Sequence, residues 1–369
     1  MTRETEVLIV GGGPAGLAAA IAARKKGFEV TVVDGARPPI DKACGEGVMP
    51  DGVALLGELG VELAEDEVVP FRGIRFAAGG LSAWGLFPES QGLGIRRTTL
   101  HRAMVRRAGA VGVDLLWGTR VRGLSSEAVV TDGGRIRARW IVAADGGGSF
   151  MRRWAGLDRP YKQRRRVGIR RHYEVMPWTD YVEVLWGDGC EAYITPVGAG
   201  EVCVAILLSD PRLRFQEALS QFPSVEHRLR RAPVSSRQRG APTAYCRYPA
   251  VVRGRIALVG DASGSVDAIT GDGLSLAFHQ AFALAEALET GNLHRYERAH
   301  RRIVALPGWM TQLLLTIDDH PRLRQRALRA LAREPDLFSR LLAIHTRAIS
   351  PMDLGATGAV RLGWRLLTA

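Results

Sequence analysis

Residues Glu6-Val-Leu-Ile-Val10 form a short apolar, β-branched run that stops at Gly11-Gly-Gly-Pro-Ala-Gly16. Alanine-rich sequence of helical character continues to Lys26, Gly27 ends it, and Glu29-Val-Thr-Val-Val-Asp34 reads as a second buried strand. Together they predict one βαβ unit. Next come a helix over 52–60, short strands over 71–97 separated by Gly pairs, and a helix over Leu100–Ala110 capped by Thr98 or Thr99. Two strands over 119–130 and a buried one over Arg139–Asp145 close the first part.

The pattern changes near residue 160. Segments 166–175, 181–186, 191–195 and 202–208 alternate apolar and polar positions, as in an antiparallel sheet with one wet face. Arg255-Ile-Ala-Leu-Val259 returns to the buried type and leads through a glycine-rich loop into a helix over Gly273–Glu289. From 295 the tail is arginine-rich and helical, with breaks expected at Pro307, Pro321, Pro335 and Pro351. The fold class expected is α/β: a discontinuous Rossmann-like domain (1–70, 98–158 and 246–300), an inserted β-rich substrate domain (71–97 and 159–245) and a helical C-terminal segment (301–369).

Composition narrows the class. At 369 residues, with 46% hydrophobic and 24% charged residues, the chain has material for about two domains and is neither disordered nor fibrous. The net charge of +12 rests on arginine, since Lys25, Lys26, Lys42 and Lys162 are the only lysines. No nucleic-acid motif accompanies it, so the arginine runs at 164–166, 170–171 and 228–231 read as solvated surface. Cys44, Cys190, Cys203 and Cys246 show no pairing logic, no signal peptide is evident, and no run reaches 18 apolar residues. A cytoplasmic setting is expected, with a peripheral membrane contact left open and the oligomeric state undetermined.

The first glycine motif follows a strand and opens a helix, and Asp34 ends the next strand eighteen residues beyond Gly16. Gly11 permits the tight turn, Gly13 a close backbone approach to pyrophosphate, and Gly16 close helix–strand packing; Pro14 and Ala15 start the helix. Asp34, beside Gly35, would bond a ribose hydroxyl and repel a 2′-phosphate. Two further strand ends carry the same signature, Val142-Ala-Ala-Asp-Gly-Gly-Gly-Ser-Phe-Met-Arg-Arg153 and Val259-Gly-Asp-Ala-Ser-Gly-Ser-Val-Asp-Ala-Ile-Thr-Gly-Asp-Gly-Leu274.

With Arg97-Thr-Thr-Leu-His-Arg-Ala-Met104, these segments resemble the ordered motif set of FAD-dependent monooxygenases of the para-hydroxybenzoate hydroxylase type and of geranylgeranyl reductases. The resemblance spans residues 5–290 and implies a glutathione reductase-type FAD domain. It places Gly11, Gly13, Gly16 and Asp34 at the ADP part of FAD, Arg97 along the cofactor, Asp145 and Gly146 in the second motif, and Gly260 and Asp261 at the ribityl chain. Gly271 and Gly273, opening a helix, would face the flavin edge where negative charge develops on reduction. Cys44, Gly45 and Val121 complete the expected cofactor set.

The departures also inform. Gly264 and Ala268 stand where hydroxylases often have His and Pro. Lys42-Ala-Cys-Gly-Glu-Gly-Val-Met-Pro50 resembles segments of both geranylgeranyl reductases and flavin halogenases. Arg72 and Glu191-Ala-Tyr-Ile-Thr-Pro196 stand where halogenases need a lysine and a Trp-x-Trp-x-Ile-Pro, which disfavours halogenation. The Tyr-x-Trp-x-Phe-Pro of the reductases is likewise absent. Cys44 lacks a partner thiol, Asp318-Asp319-His320 reads as a helix cap rather than a metal site, and the eight histidines form no ligand pattern, so no metal is expected.

The expectation is an FAD-dependent oxidoreductase, reduced by NAD(P)H as a transient partner and acting on a lipophilic or aromatic small molecule. Monooxygenation (hydroxylation or epoxidation) is the first chemistry, hydride transfer to an alkene the alternative, and a non-catalytic FAD protein the reading from another class. Trp84, Trp186 and Tyr193 are the candidate pocket residues, and no catalytic acid or base can be named. Ala327–Ile349, amphipathic and basic, is expected to pack over the FAD domain, with a lid or membrane-facing role as alternatives.

Overall fold

The computed structural model describes residues 2–88, 90–210 and 212–354; the end of the 301–369 segment lies outside the described residues. The β-branched runs form an eight-stranded sheet whose main path orders Val252–Arg253, Ile256–Leu258, Gly134–Ala143, Thr2–Val10, Val30–Asp34 and Asp114–Trp117. Its centre is parallel, with Val10 opposite both Ala143 and Val33, and Ala143 opposite Leu258. That register brings the glycine loops after Val10, Ala143 and Leu258 to one end of the sheet, where parallel α/β sheets bind ligands. The alanine-rich helices Pro14–Lys25 and Gly273–Glu289 pack against one another and the sheet, and Ala18 to Ala23 are all buried.

The second sheet orders Gly264–Ser265, Arg239–Arg247, Lys162–Glu174, Glu201–Leu208, Cys190–Gly198, Val182–Trp186, Gly73–Ala78 and Leu81–Leu86. It is antiparallel except for the parallel pair Val182–Trp186 and Gly73–Ala78, which joins the two parts of the chain that build it. One face is dry: Leu185, Ala192, Ile194, Val204 and Ile206 pack against Phe215, Leu219 and Val225. The polar positions of the alternation do not form a wet face. Arg166, Arg170, His172 and Glu191 are buried, because that face looks onto a cavity closed by other elements.

Several local expectations fail for reasons that lie outside the local sequence. Pro307 sits inside one helix, Leu293–Asp319, instead of breaking it. The Ile303 carbonyl, which a proline four residues on cannot satisfy, accepts Arg347 Nη2 at 2.8 Å. The third helix starts at Arg97 without a Thr98 or Thr99 cap. Asp318 and Asp319 do not cap the Pro321–Arg333 helix either: Asp319 pairs with Arg164 at 2.7 Å, and Asp318 lies 3.9 Å from Arg166. Helices Pro321–Arg333 and Pro335–His345 pack on strand Leu81–Leu86 of the second sheet, not over the first sheet as expected.

Candidate active site

A cavity of about 1550 Å³ runs from the glycine loops of the first sheet to the C-terminal helices. It is larger than an ordinary small-ligand pocket, as a site for an extended cofactor plus a substrate must be. Its walls include Gly11, Gly13, Pro14, Ala15, Asp34, Gly35, Cys44, Gly45, Arg97, Val121, Asp145, Gly146, Gly260, Asp261, Gly271 and Gly273. Gly16 stands behind the wall, because a Cβ there would lie 1.9 Å from the Gly11 carbonyl oxygen. Gly11 itself has φ +112°, and its Cβ would lie 2.3 Å from the Ala144 oxygen, so both positions require glycine.

The wall suits an extended anionic dinucleotide. A Cβ at Gly13, Gly146 or Gly148 would meet nothing within 4 Å, so bare backbone faces the opening. The helix that starts after Gly13 has no side-chain cap, which leaves its first N–H groups for phosphate oxygens. Asp34 accepts the N–H of Gly12 and of Ala36, each at 2.7 Å, and so ties the first glycine turn to the end of the second strand. Asp145 accepts Ser149 Oγ at 2.5 Å and the Met151 N–H at 3.1 Å, holding the second loop. Asp261 pairs with Lys42 at 3.0 Å, and that ammonium lowers its pKa against the opposing effect of desolvation. Gly271, at φ +70°, precedes the uncapped Gly273–Glu289 helix.

Two residues that support these loops were not foreseen. Arg152, buried, bonds the carbonyls of Gly147 (2.8 Å) and Ala262 (3.0 Å) and so joins the second and third motifs. His101 bonds the Gly12 carbonyl at 2.8 Å from beneath the first motif, and its burial lowers its pKa. An arginine soon after the second acidic glycine motif was the available signal for the first; nothing local marks the second.

The three aromatic candidates separate. Tyr193 lines the cavity and donates its hydroxyl to Glu191 at 2.6 Å. Trp186 stacks on Phe76 at 4.8 Å inside the hydrophobic core and is not in the wall. Trp84, 42% exposed, lies on the outside under Arg75 and edge-on to Tyr181. The far wall comes instead from Ile74, Phe76, Val182 and Val184 of the second sheet and Ile317, Ala327, Leu331, Phe338 and Leu342 of the C-terminal helices. Apolar side chains make up most of this arm, with Tyr193 and Thr195 of the neighbouring strand in the same wall.

The family model described as "FAD binding domain" matches residues 4–200, and the chain belongs to that family. It is an FAD-dependent oxidoreductase of the superfamily that its motifs resemble. The chain is 30% identical over 318 residues to a menaquinone reductase of Mycobacterium tuberculosis, covering 79% of this chain and 78% of that one. It is 25% identical to an FAD-dependent urate hydroxylase of Klebsiella pneumoniae, over 79% and 86% of the two chains. A flavoprotein/dehydrogenase from Cytophaga hutchinsonii shares the fold, with a TM-score of 0.82 at 18% identity over 99% and 98% of the chains. No helix among the described residues is long and apolar enough to cross a membrane.

Proposed function

We propose that this chain uses FAD, reduced by NAD(P)H, to reduce a lipophilic substrate of the isoprenoid quinone class. The observation that carries this reading is the apolar arm between the second sheet and the C-terminal helices, opening from the same cavity as the glycine loops. A long hydrocarbon tail buried there gains about 25 cal/mol per Å² of apolar surface removed from water. Similarity to the mycobacterial menaquinone reductase supports the same class. When bound, FAD carries hydride between nicotinamide and substrate.

The loops at Gly11–Gly16 and Gly146–Gly148 would hold the diphosphate, Asp34 the ribose, Asp261 and Arg97 the ribityl side, and the Gly271–Gly273 helix start the flavin edge. Cys44 and Gly45 would stand beside the ring. The sheet of residues 162–247 and the segment from 301 would supply the substrate walls. Oxygenation is the second reading, supported by similarity to the urate hydroxylase.

Two measurements on purified protein separate them. The visible spectrum before and after NADH or NADPH tests flavin reduction, expected with one of the two. Mass spectrometry of a short-tail menaquinone then tests the chemistry: gain of two hydrogens without O₂ supports reduction, and gain of one oxygen in air supports oxygenation. Absence of substrate-dependent nicotinamide use across a quinone and phenol panel would refute both.

A further inference from the structure

The apolar arm of the cavity reaches the surface along one helical ridge. Trp309, Leu313 and Ile317 follow one another at four-residue steps on helix Leu293–Asp319, and all three line the cavity. Their exposure falls along the ridge from 60% to 38% to 8%, so the arm begins at an uncovered tryptophan and ends in the interior. We propose that this ridge docks the protein on an anionic lipid bilayer, with Trp309 and Leu313 entering the headgroup boundary and the arm opening towards the acyl chains. The docking stands on the surface alone; that it delivers the substrate rests on the functional reading above.

Large apolar side chains left uncovered beside one another mark a surface that something else covers. The charges around them say what. Arg298, Arg302, Ala305, Trp309, Leu313 and Thr316 succeed one another at steps of three or four and are all exposed, so they share one stripe of the helix. Pro307 does not interrupt that helix, because Arg347 takes up the Ile303 carbonyl. Between Glu297 and Asp318 the chain carries no acid, and among the described residues neither Arg298 nor Arg302 pairs with a carboxylate. The next helix, Pro321–Arg333, packs on this one and adds exposed Arg322, Arg326 and Arg333, again with no acid of its own. The two acids between the helices are already matched, Asp319 with Arg164 at 2.7 Å and Asp318 with Arg324 at 3.7 Å.

A tryptophan and a leucine in line with unpaired arginines suit a bilayer surface, where the apolar side chains enter the headgroup region and the cations meet lipid phosphates. A second copy of this chain is a poorer occupant, since its stripe presents the same cations and no carboxylate to meet them. Phe150 and Trp154 are also exposed in the cavity wall, but they stand at the cofactor end, lie against each other at 5.8 Å and have Arg153 over the Phe150 ring. They do not lead into the apolar arm.

The test is sedimentation of the FAD-loaded protein with vesicles of phosphatidylcholine alone and of its equimolar mixture with phosphatidylglycerol. Binding is expected to the mixture, to be at least about tenfold weaker on phosphatidylcholine alone, and to fall with added salt. Arg298→Glu/Arg302→Glu should weaken binding to the mixture at least about tenfold, and Trp309→Ser/Leu313→Ser should do the same with the circular dichroism of the wild type kept. Trp309→Phe should still bind but lose most of the fluorescence quenching that brominated phosphatidylcholine in the mixture causes in the wild type. Absence of wild-type binding, or binding that neither pair of substitutions weakens, overturns the docking. So does a dimer in lipid-free solution that Trp309→Ser/Leu313→Ser dissociates, because the ridge then joins two copies.

A second assay separates the docking from the functional reading. Arg298→Glu/Arg302→Glu should reduce a short-tail menaquinone in solution at the wild-type rate and lose turnover of a long-tail menaquinone held in mixed vesicles. Equal turnover of the vesicle-held quinone by variant and wild type overturns delivery through this ridge. Vesicle binding by a wild type that reduces neither quinone keeps the docking and counts against the functional reading alone.

Discussion

The two sheets are alike in strand number and opposite in how they use their interiors. The first is sealed by alanine-rich helices, with Val7, Leu8, Ile9, Val32 and Val33 inside, and its chemistry lies beyond the strand ends, in backbone. The second is sealed on one face only, and the other carries Arg166, Arg170, His172 and Glu191 into the cavity wall or directly behind it. A cofactor shared across a superfamily can be held by backbone amides, which any side chains tolerate. A substrate peculiar to one member has to be met by side chains, and a buried charge there requires a countercharge.

The largest expected effect strikes that second interior. Arg166 is 1% exposed at its side chain and pairs with Glu191 at 2.7 Å and Asp267 at 3.0 Å. Arg166→Met leaves two buried acids without their cation and should cost about 3–5 kcal/mol in urea unfolding. Replacing Arg166, Glu191 and Asp267 together by apolar residues should recover much of that loss. If the single variant unfolds like the wild type, the buried pairing is not what holds this face together.

Next in size is a contrast in pH response. Burial pushes Glu191 from 4.5 up to about 7, so the folded state holds a proton that the unfolded chain releases. The stability this contributes is full below pH 4.5 and is lost as pH rises to 7. His300, buried against Ser263 at the edge of the first sheet, is instead lowered from 6.5 to about 4 by burial, so its contribution is present above pH 6.5 and lost as pH falls to 4. Glu191→Gln should remove a decline on the order of 2 kcal/mol between pH 5 and 7, and His300→Asn should flatten the acid side. Melting curves of the two variants with identical slopes would erase the contrast.

What the sequence reveals follows the same division. Gly11, Gly13, Gly16, Asp34, Asp145 and Asp261 are readable because each is fixed by a turn within a few residues of its strand. Glu46, His172 and Ser236 meet only through the register that pairs His172 with Cys203 and lays that strand beside the Gly45–Gly47 loop. Arg166 and Arg170 look like surface, as exposed Arg165 is, because alternation reports which side a residue faces, not what covers that side. Pro307 misleads in the same way, since the donor that replaces its missing N–H, Arg347, lies forty residues on.

The first interior is tested by Gly16→Ala. The added methyl would sit 1.9 Å from the Gly11 oxygen and 3.2 Å from Ala144 Cβ. Overpacking of this kind costs about 1–3 kcal/mol and moves the first glycine loop. The purified variant is expected to lose its yellow colour at FAD concentrations that saturate the wild type, while the circular dichroism of both sheets is kept. Retention of full colour would mean that the loop tolerates displacement and that the pyrophosphate contact lies elsewhere.

The smallest effect belongs to the outer face of the second sheet. Trp84 contacts Arg75 at 4.8 Å and Tyr181 at 5.0 Å, and it is 42% exposed. Trp84→Ala should cost about 1 kcal/mol or less and leave KM for the proposed quinone substrate unchanged. Tyr193→Phe, in the cavity wall, removes the hydroxyl that bonds Glu191 at 2.6 Å and should change KM even where its stability loss is no greater. The pair therefore compares an aromatic that only braces a hairpin with one that lines the cavity. A KM shift in Trp84→Ala as large as that in Tyr193→Phe would extend the substrate path out over the Leu81–Leu86 strand. The contrast between a backbone-built and a side-chain-built interior would then have to include the sheet's edge.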